Sequence, residues 1–77
     1  MNDFKSVKIK LSTVDEVNEF VNIASLNQGD VDIRQERYVV DAKSILGILS
    51  LDLKKVLILD IYGGDLKEKI DKFIVKE

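Results

Sequence analysis

Apolar and polar residues alternate over Val7, Lys8, Ile9, Lys10 and Leu11, a period of two that predicts a half-buried strand beginning near Phe4. Ser12 and Thr13 end it. Thr13 is followed three positions later by Glu16, the spacing of a capping box. Val14, Val17, Val21 and Ala24 then recur at helical intervals, with Phe20 and Ile23 widening the stripe, so a helix is expected from about Val14 to Leu26. Asn27-Gln28-Gly29-Asp30 breaks the pattern as a loop. Val31 and Ile33 alternate with Asp30, Asp32 and Arg34 as a second strand, and Tyr38-Val39-Val40 makes a third. Between them, Gln35-Glu36-Arg37 lacks the glycine or asparagine that a tight hairpin usually carries.

The polar residues Asp41 to Ser44 interrupt the apolar pattern, and Ser44 has the chemistry of a helix N-cap. Ile45, Leu46, Ile48, Leu49 and Leu51 fill the turns after it, giving a short helix over about Ser44 to Leu51. Gly47 lowers its intrinsic propensity by about 1 kcal/mol relative to alanine. Val56-Leu57-Ile58-Leu59-Asp60-Ile61-Tyr62 is rich in β-formers and reads as a buried fourth strand. Gly63-Gly64 turns the chain, and Asp65 is placed to cap a last helix striped by Leu66, Ile70, Phe73 and Ile74. The order is βαββαβα. One-sided helices and alternating strands fit an α+β fold: a four-stranded antiparallel sheet with three helices on one face.

Composition narrows the function. The 77 residues suit a single domain, 1–77, whose core must stabilise it unaided. The chain has no cysteine and no histidine, so no metal or cofactor site is expected and no Ser-His or Cys-His pair exists for nucleophilic catalysis. An enzyme is therefore not expected. A net charge of -2 gives no electrostatic reason for nucleic acid. Asp15, Glu16 and Glu19 read as a solvated helix face, and Tyr38 and Tyr62 as sheet residues. Met1-Asn2-Asp3-Phe4 does not resemble a signal peptide, and no apolar run reaches the length of a membrane span. A cytoplasmic protein is the expectation.

The run Val40-Asp41-Ala42-Lys43-Ser44-Ile45-Leu46-Gly47-Ile48-Leu49-Ser50-Leu51 resembles the regulatory serine segment of the HPr phosphocarrier family, with its Lys-Ser-Ile-Met-Gly pattern. Gly63-Gly64-Asp65 resembles that family's approach to its last helix, and Ala24-Ser25 and Asp30-Val31 fall in register upstream. The resemblance implies an open-faced β-sandwich of the order read above. It also places Leu11-Ser12-Thr13-Val14-Asp15-Glu16-Val17 on the family's active-site segment Gly-Ile-His-Ala-Arg-Pro-Ala. Thr13 stands at the histidine position, Asp15 at the arginine and Glu16 at the proline. A phosphohistidine benefits from the positive end of a helix dipole and from a nearby arginine. Two carboxylates in that first turn would instead repel a phosphoryl group. Thr13 reads as an N-cap, with a phospho-acceptor role for Thr13 or Asp15 as the alternative.

For Ser44, the cap reading stands beside the one the resemblance implies, modification by an HPr kinase/phosphorylase-like kinase. Ile48 and Leu51 fit the core, whereas Ile45, Leu46 and Leu49 are too many for one buried stripe. With Lys43 they form a candidate docking face for a transcriptional regulator or other components of the sugar phosphotransferase system. The function implied is regulation in carbon catabolite control. The alternative is an interaction or dimerisation module of the same fold, a homodimer included, that uses the apolar helix without phosphorylation.

Overall fold

The computed structural model describes residues 4–76, so most of the segment 1–4, expected to be no signal sequence, lies outside it. Strand β1 (Lys5–Ile9) leads into helix α1 (Val14–Ser25), then β2 (Val31–Gln35), β3 (Tyr38–Asp41), the short helix α2 (Ile45–Leu49), β4 (Leu57–Ile61), and α3 (Leu66–Lys69), which runs on into a 3₁₀ turn at Asp71–Phe73. The strands form one sheet in the order β1-β4-β2-β3 with every pairing antiparallel. The α+β arrangement expected from the periodicities is therefore the one observed, an open-faced sandwich with one bare sheet face.

The core lies between the sheet and the helices. Ile9, Val31, Ile33, Leu57, Leu59 and Ile61 face it from the strands, against Val17, Phe20, Val21 and Ala24 of α1 and Ile48 of α2. Leu66, Ile70 and Phe73 close the far side, with the Phe73 ring edge-on to Phe20 at 5.9 Å. Asn27 is buried at the end of α1. Its amide donates to the carbonyls of Gly29 at 3.1 Å and Gly63 at 2.8 Å. This stitches the α1–β2 loop to the turn after β4. The two loops touch backbone to backbone: a Cβ on Gly29 would lie 2.8 Å from the Gly63 Cα. Gly64 holds a φ of 81°, the left-handed region that glycine enters without steric cost.

Four sequence expectations need correction. Val14 is exposed, although its spacing put it on the buried stripe of α1. Periodicity gives the direction of a side chain but not how far the layer beneath extends. Asp65 occupies the N-cap position of α3, yet its side chain makes no capping bond. The last helix does not continue to Ile74. It stops after Lys69 because the chain must return to β1, where Ile74 bridges Ile9. Finally, neither tyrosine is a packed sheet residue: Tyr38 and Tyr62 are both exposed, and Tyr62 rests on the Phe4 ring at 4.9 Å.

Candidate functional site

Thr13 is bound into the start of α1 from both directions. Its hydroxyl oxygen accepts from Glu16 N–H at 3.1 Å, and Glu16 Oε1 accepts from Thr13 N–H at 3.2 Å and Ser12 N–H at 2.7 Å. This is the complete capping box read from the sequence. The carboxylates of Asp15 and Glu16 lie in the first turn, where they complement the free N–H groups of the helix. The corner is thus satisfied by its own side chains, with negative charge where an anionic group would have to sit.

Ser44 caps α2. Its extended backbone (φ -109°, ψ 113°) turns the hydroxyl back to accept from Gly47 N–H at 3.1 Å. Its own N–H donates to Asp41 O at 3.0 Å, and its carbonyl accepts from Ile48 N–H at 3.1 Å. Gly47 is more than a weak helix former. A Cβ there would meet Val40 Cβ at 3.2 Å and Ser44 Oγ at 3.3 Å, so the small residue lets α2 settle onto β3.

The apolar residues of α2 divide as their spacing predicts. Ile48 and, just after the helix, Leu51 are buried, while Leu46 is 81% exposed and Ile45 and Leu49 are each 39% exposed. The three exposed chains follow the cap serine directly and present aliphatic surface to solvent. Lys43 is held differently from them. Its ammonium donates to Asn27 O at 3.0 Å and its N–H to Asp41 Oδ1 at 2.8 Å. It thereby ties the start of α2 to the end of α1.

The open face of the sheet carries a feature that no single segment reveals. Register places Ser6, Asp60, Asp32 and Asp41 side by side, one from each strand. Asp60 is the best satisfied: Arg34 Nε donates at 2.5 Å and Ser6 Oγ at 2.6 Å. Its side chain is only 4% exposed. Burial alone would raise its pKa, and the bonds from Arg34 and Ser6 reverse that and bring it below the ordinary value. Asp32 has no such partner among the described residues, and burial, then Asp41, Asp30 and Asp60, push its pKa up. Asp30, Asp32 and Asp41, with Lys43 and Tyr62, border an open hollow of about 420 Å³. The alternation in β2 predicts that Asp32 faces outward, but β4 reads as a buried strand, and only pairing register shows that Asp60 and Asp41 flank Asp32.

Among the described residues no group of three His, Cys, Asp or Glu side chains is arranged to hold a metal ion, and no helix is long and apolar enough to cross a membrane. No protein-family model matches the chain, and no curated protein does. Solved structures do. The chain is 30% identical to HPr-C-His from Thermoanaerobacter tengcongensis, with a TM-score of 0.69 over 90% of this chain and 83% of that one. The phosphocarrier protein HPr from Bacillus anthracis superposes with a TM-score of 0.70 over 92% of this chain and 93% of its own, at 24% identity.

Proposed function

The chain belongs to the HPr family, and from that premise we propose that it is a regulatory protein of the bacterial sugar phosphotransferase system that does not carry phosphate on histidine. Ser44 is the proposed acceptor of phosphate from ATP, through an HPr kinase/phosphorylase-like kinase. Lys43, Ile45, Leu46 and Leu49 are the proposed docking face for a transcriptional regulator or another component of the system, in the bacterial cytoplasm. The observation that carries this reading is the exposed aliphatic face of α2 beginning at the cap serine. The absence of histidine and the closed capping box at Thr13 support the loss of the carrier reaction.

The chemistry is simple. Ser44 Oγ forms a bond to the γ-phosphorus of ATP, the bond to ADP breaks, and the hydroxyl proton passes to a base of the kinase. The phosphoserine then carries a charge of about -2 at a helix N-terminus, next to the aliphatic face. Incubation with ATP and an active HPr kinase/phosphorylase is expected to add one phosphate, located by mass spectrometry at Ser44 and lost in Ser44→Ala. Phosphoenolpyruvate and enzyme I are expected to leave the chain unlabelled. An unmodified chain beside a modified HPr control would overturn the Ser44 reading. The α2 face would then stand as an interaction module without phosphorylation.

A further inference from the structure

The sheet has two outer strands, β1 and β3, and the chain treats them differently. The outer edge of β1 is closed by the C-terminal segment. Lys10 N–H donates to Phe73 O at 2.9 Å, Val75 N–H donates to Lys8 O at 2.8 Å, and Ile74 bridges Ile9. Among the described residues β3 has β2 as its only strand neighbour. Gln35 and Tyr38 flank a two-residue turn, Val40 pairs with Ile33, and Ala42 N–H reaches Val31 O at 2.9 Å. In an antiparallel ladder hydrogen-bonded pairs alternate with non-bonded ones, so Val39 and Asp41 direct their backbone groups away from β2.

Such an edge is a template for another strand, and proteins usually blunt it with lysine, proline or a covering segment. Tyr38-Val39-Val40-Asp41 has neither residue, and Tyr38 and Val39 are 59% and 60% exposed.

We propose that β3 pairs with β3 of a second copy of this chain, antiparallel about a two-fold axis perpendicular to the sheet. Such an axis sets residues of the same sheet face opposite one another. The registers available are centred on Tyr38, Val39 or Val40, and charge chooses among them. Centring on Val40 sets Arg37 against Lys43 of the second copy and Val39 against Asp41. Centring on Tyr38 sets Arg37 against Val39 and leaves Asp41 opposite Gln35. Centring on Val39 sets Val39 against itself, Tyr38 against Val40, and Arg37 against Asp41 of the second copy, once on each side of the axis. Opposite charges facing across a strand pair stabilise it, and like charges do the reverse. The Val39 register also fits the backbone. The two Val39 residues exchange N–H to carbonyl bonds, and each Asp41 N–H meets the Arg37 carbonyl of the second copy.

The seam uses none of Ile45, Leu46 or Leu49, so it stands or falls apart from phosphorylation at Ser44. Five residues a side, Arg37 to Asp41, is a short interface, and the dimer is a weak one that forms at high protein concentration. Sedimentation velocity from the micromolar into the millimolar range should show monomer passing to dimer. Amide exchange at Val39 and Asp41 should slow with concentration. Val39→Lys, a change at an exposed position, sets two ammonium groups against each other and should raise the dissociation constant by about tenfold or more. Arg37→Asp should weaken the dimer, and Arg37→Asp combined with Asp41→Arg should restore it. Leu46→Glu should leave it unchanged. A monomer at every concentration would overturn the proposal, as would a dimer abolished by Leu46→Glu and untouched by Val39→Lys.

Discussion

Glu36 is the only non-glycine residue at positive φ among those described, at 56°. It opens the two-residue turn between Gln35 and Tyr38. Among the described residues its side chain reaches only Lys55, at 3.3 Å, with both groups well exposed. The left-handed region costs an L-residue about 1 kcal/mol or more, and an exposed ion pair returns only a few tenths. The fold tolerates this residue because β2 and β3 pair on either side of it. Replacing it tests that balance. Glu36→Gly should stabilise the protein by about 0.5 kcal/mol, once the entropy that glycine adds to the unfolded chain is subtracted. The change should appear as a higher urea midpoint at an unchanged m-value. A lower midpoint would show that the Lys55 pair outweighs the backbone strain.

At the scale of elements, local chemistry decides where helices begin and distant contacts decide where they end. The start of α1 is written in Thr13 and Glu16, which is why the capping box was legible. Thr13→Ala should cost about 1 kcal/mol and Thr13→Ser only a fraction of that, measured by denaturant unfolding. Equal losses in both would place the cost in the methyl group rather than the hydroxyl. The end of α3 was not legible. The stripe of Leu66, Ile70 and Phe73 is real, and all three are buried. What breaks the helix is the pull of β1 on Phe73, Ile74 and Val75, which no window of the sequence contains. The candidate site divides the same way. Ser44 and the sorting of Ile48 from Leu46 follow from spacing along one helix. The anchoring of Lys43 on Asn27, and the fit of Gly47 against Val40, depend on packing between elements.

Across the whole molecule, the aspartate row on the open sheet face gives stability two opposing dependences on pH. The folded pKa of Asp60 lies below the ordinary value of 3.8. Its contribution is therefore fully present above that value and is lost as pH falls through the lowered one. Asp32 lies above the same value of 3.8. The folded protein retains a proton there that the unfolded chain releases, so stability falls as pH rises through the raised value. Asp32→Asn removes the like charge facing Asp41 and Asp60, and should stabilise the protein by about 0.5 kcal/mol at neutral pH. The gain should vanish in acid, where Asp32 is protonated in both states. Unfolding midpoints at the two pH values check this; a gain that persists in acid would assign the effect to packing. Strand periodicity predicted that Asp32 faces outward, but only the sheet order sets it between two other acids.

That sheet order also fixes when the protein can fold. β4 lies between β1 and β2, so the two earlier strands have no contact as strands until the later one is in place. A chain emerging from the ribosome as far as β3 holds a helix, a hairpin and a solitary β1. Its α1 and β2 faces lack Leu57, Leu59 and Ile61, which β4 adds to the centre of the core. Pairings between strands far apart in sequence are slow to form because loop closure precedes any reward. The central strand acts as a late keystone, and until β4 arrives β1 has no strand partner in the sheet.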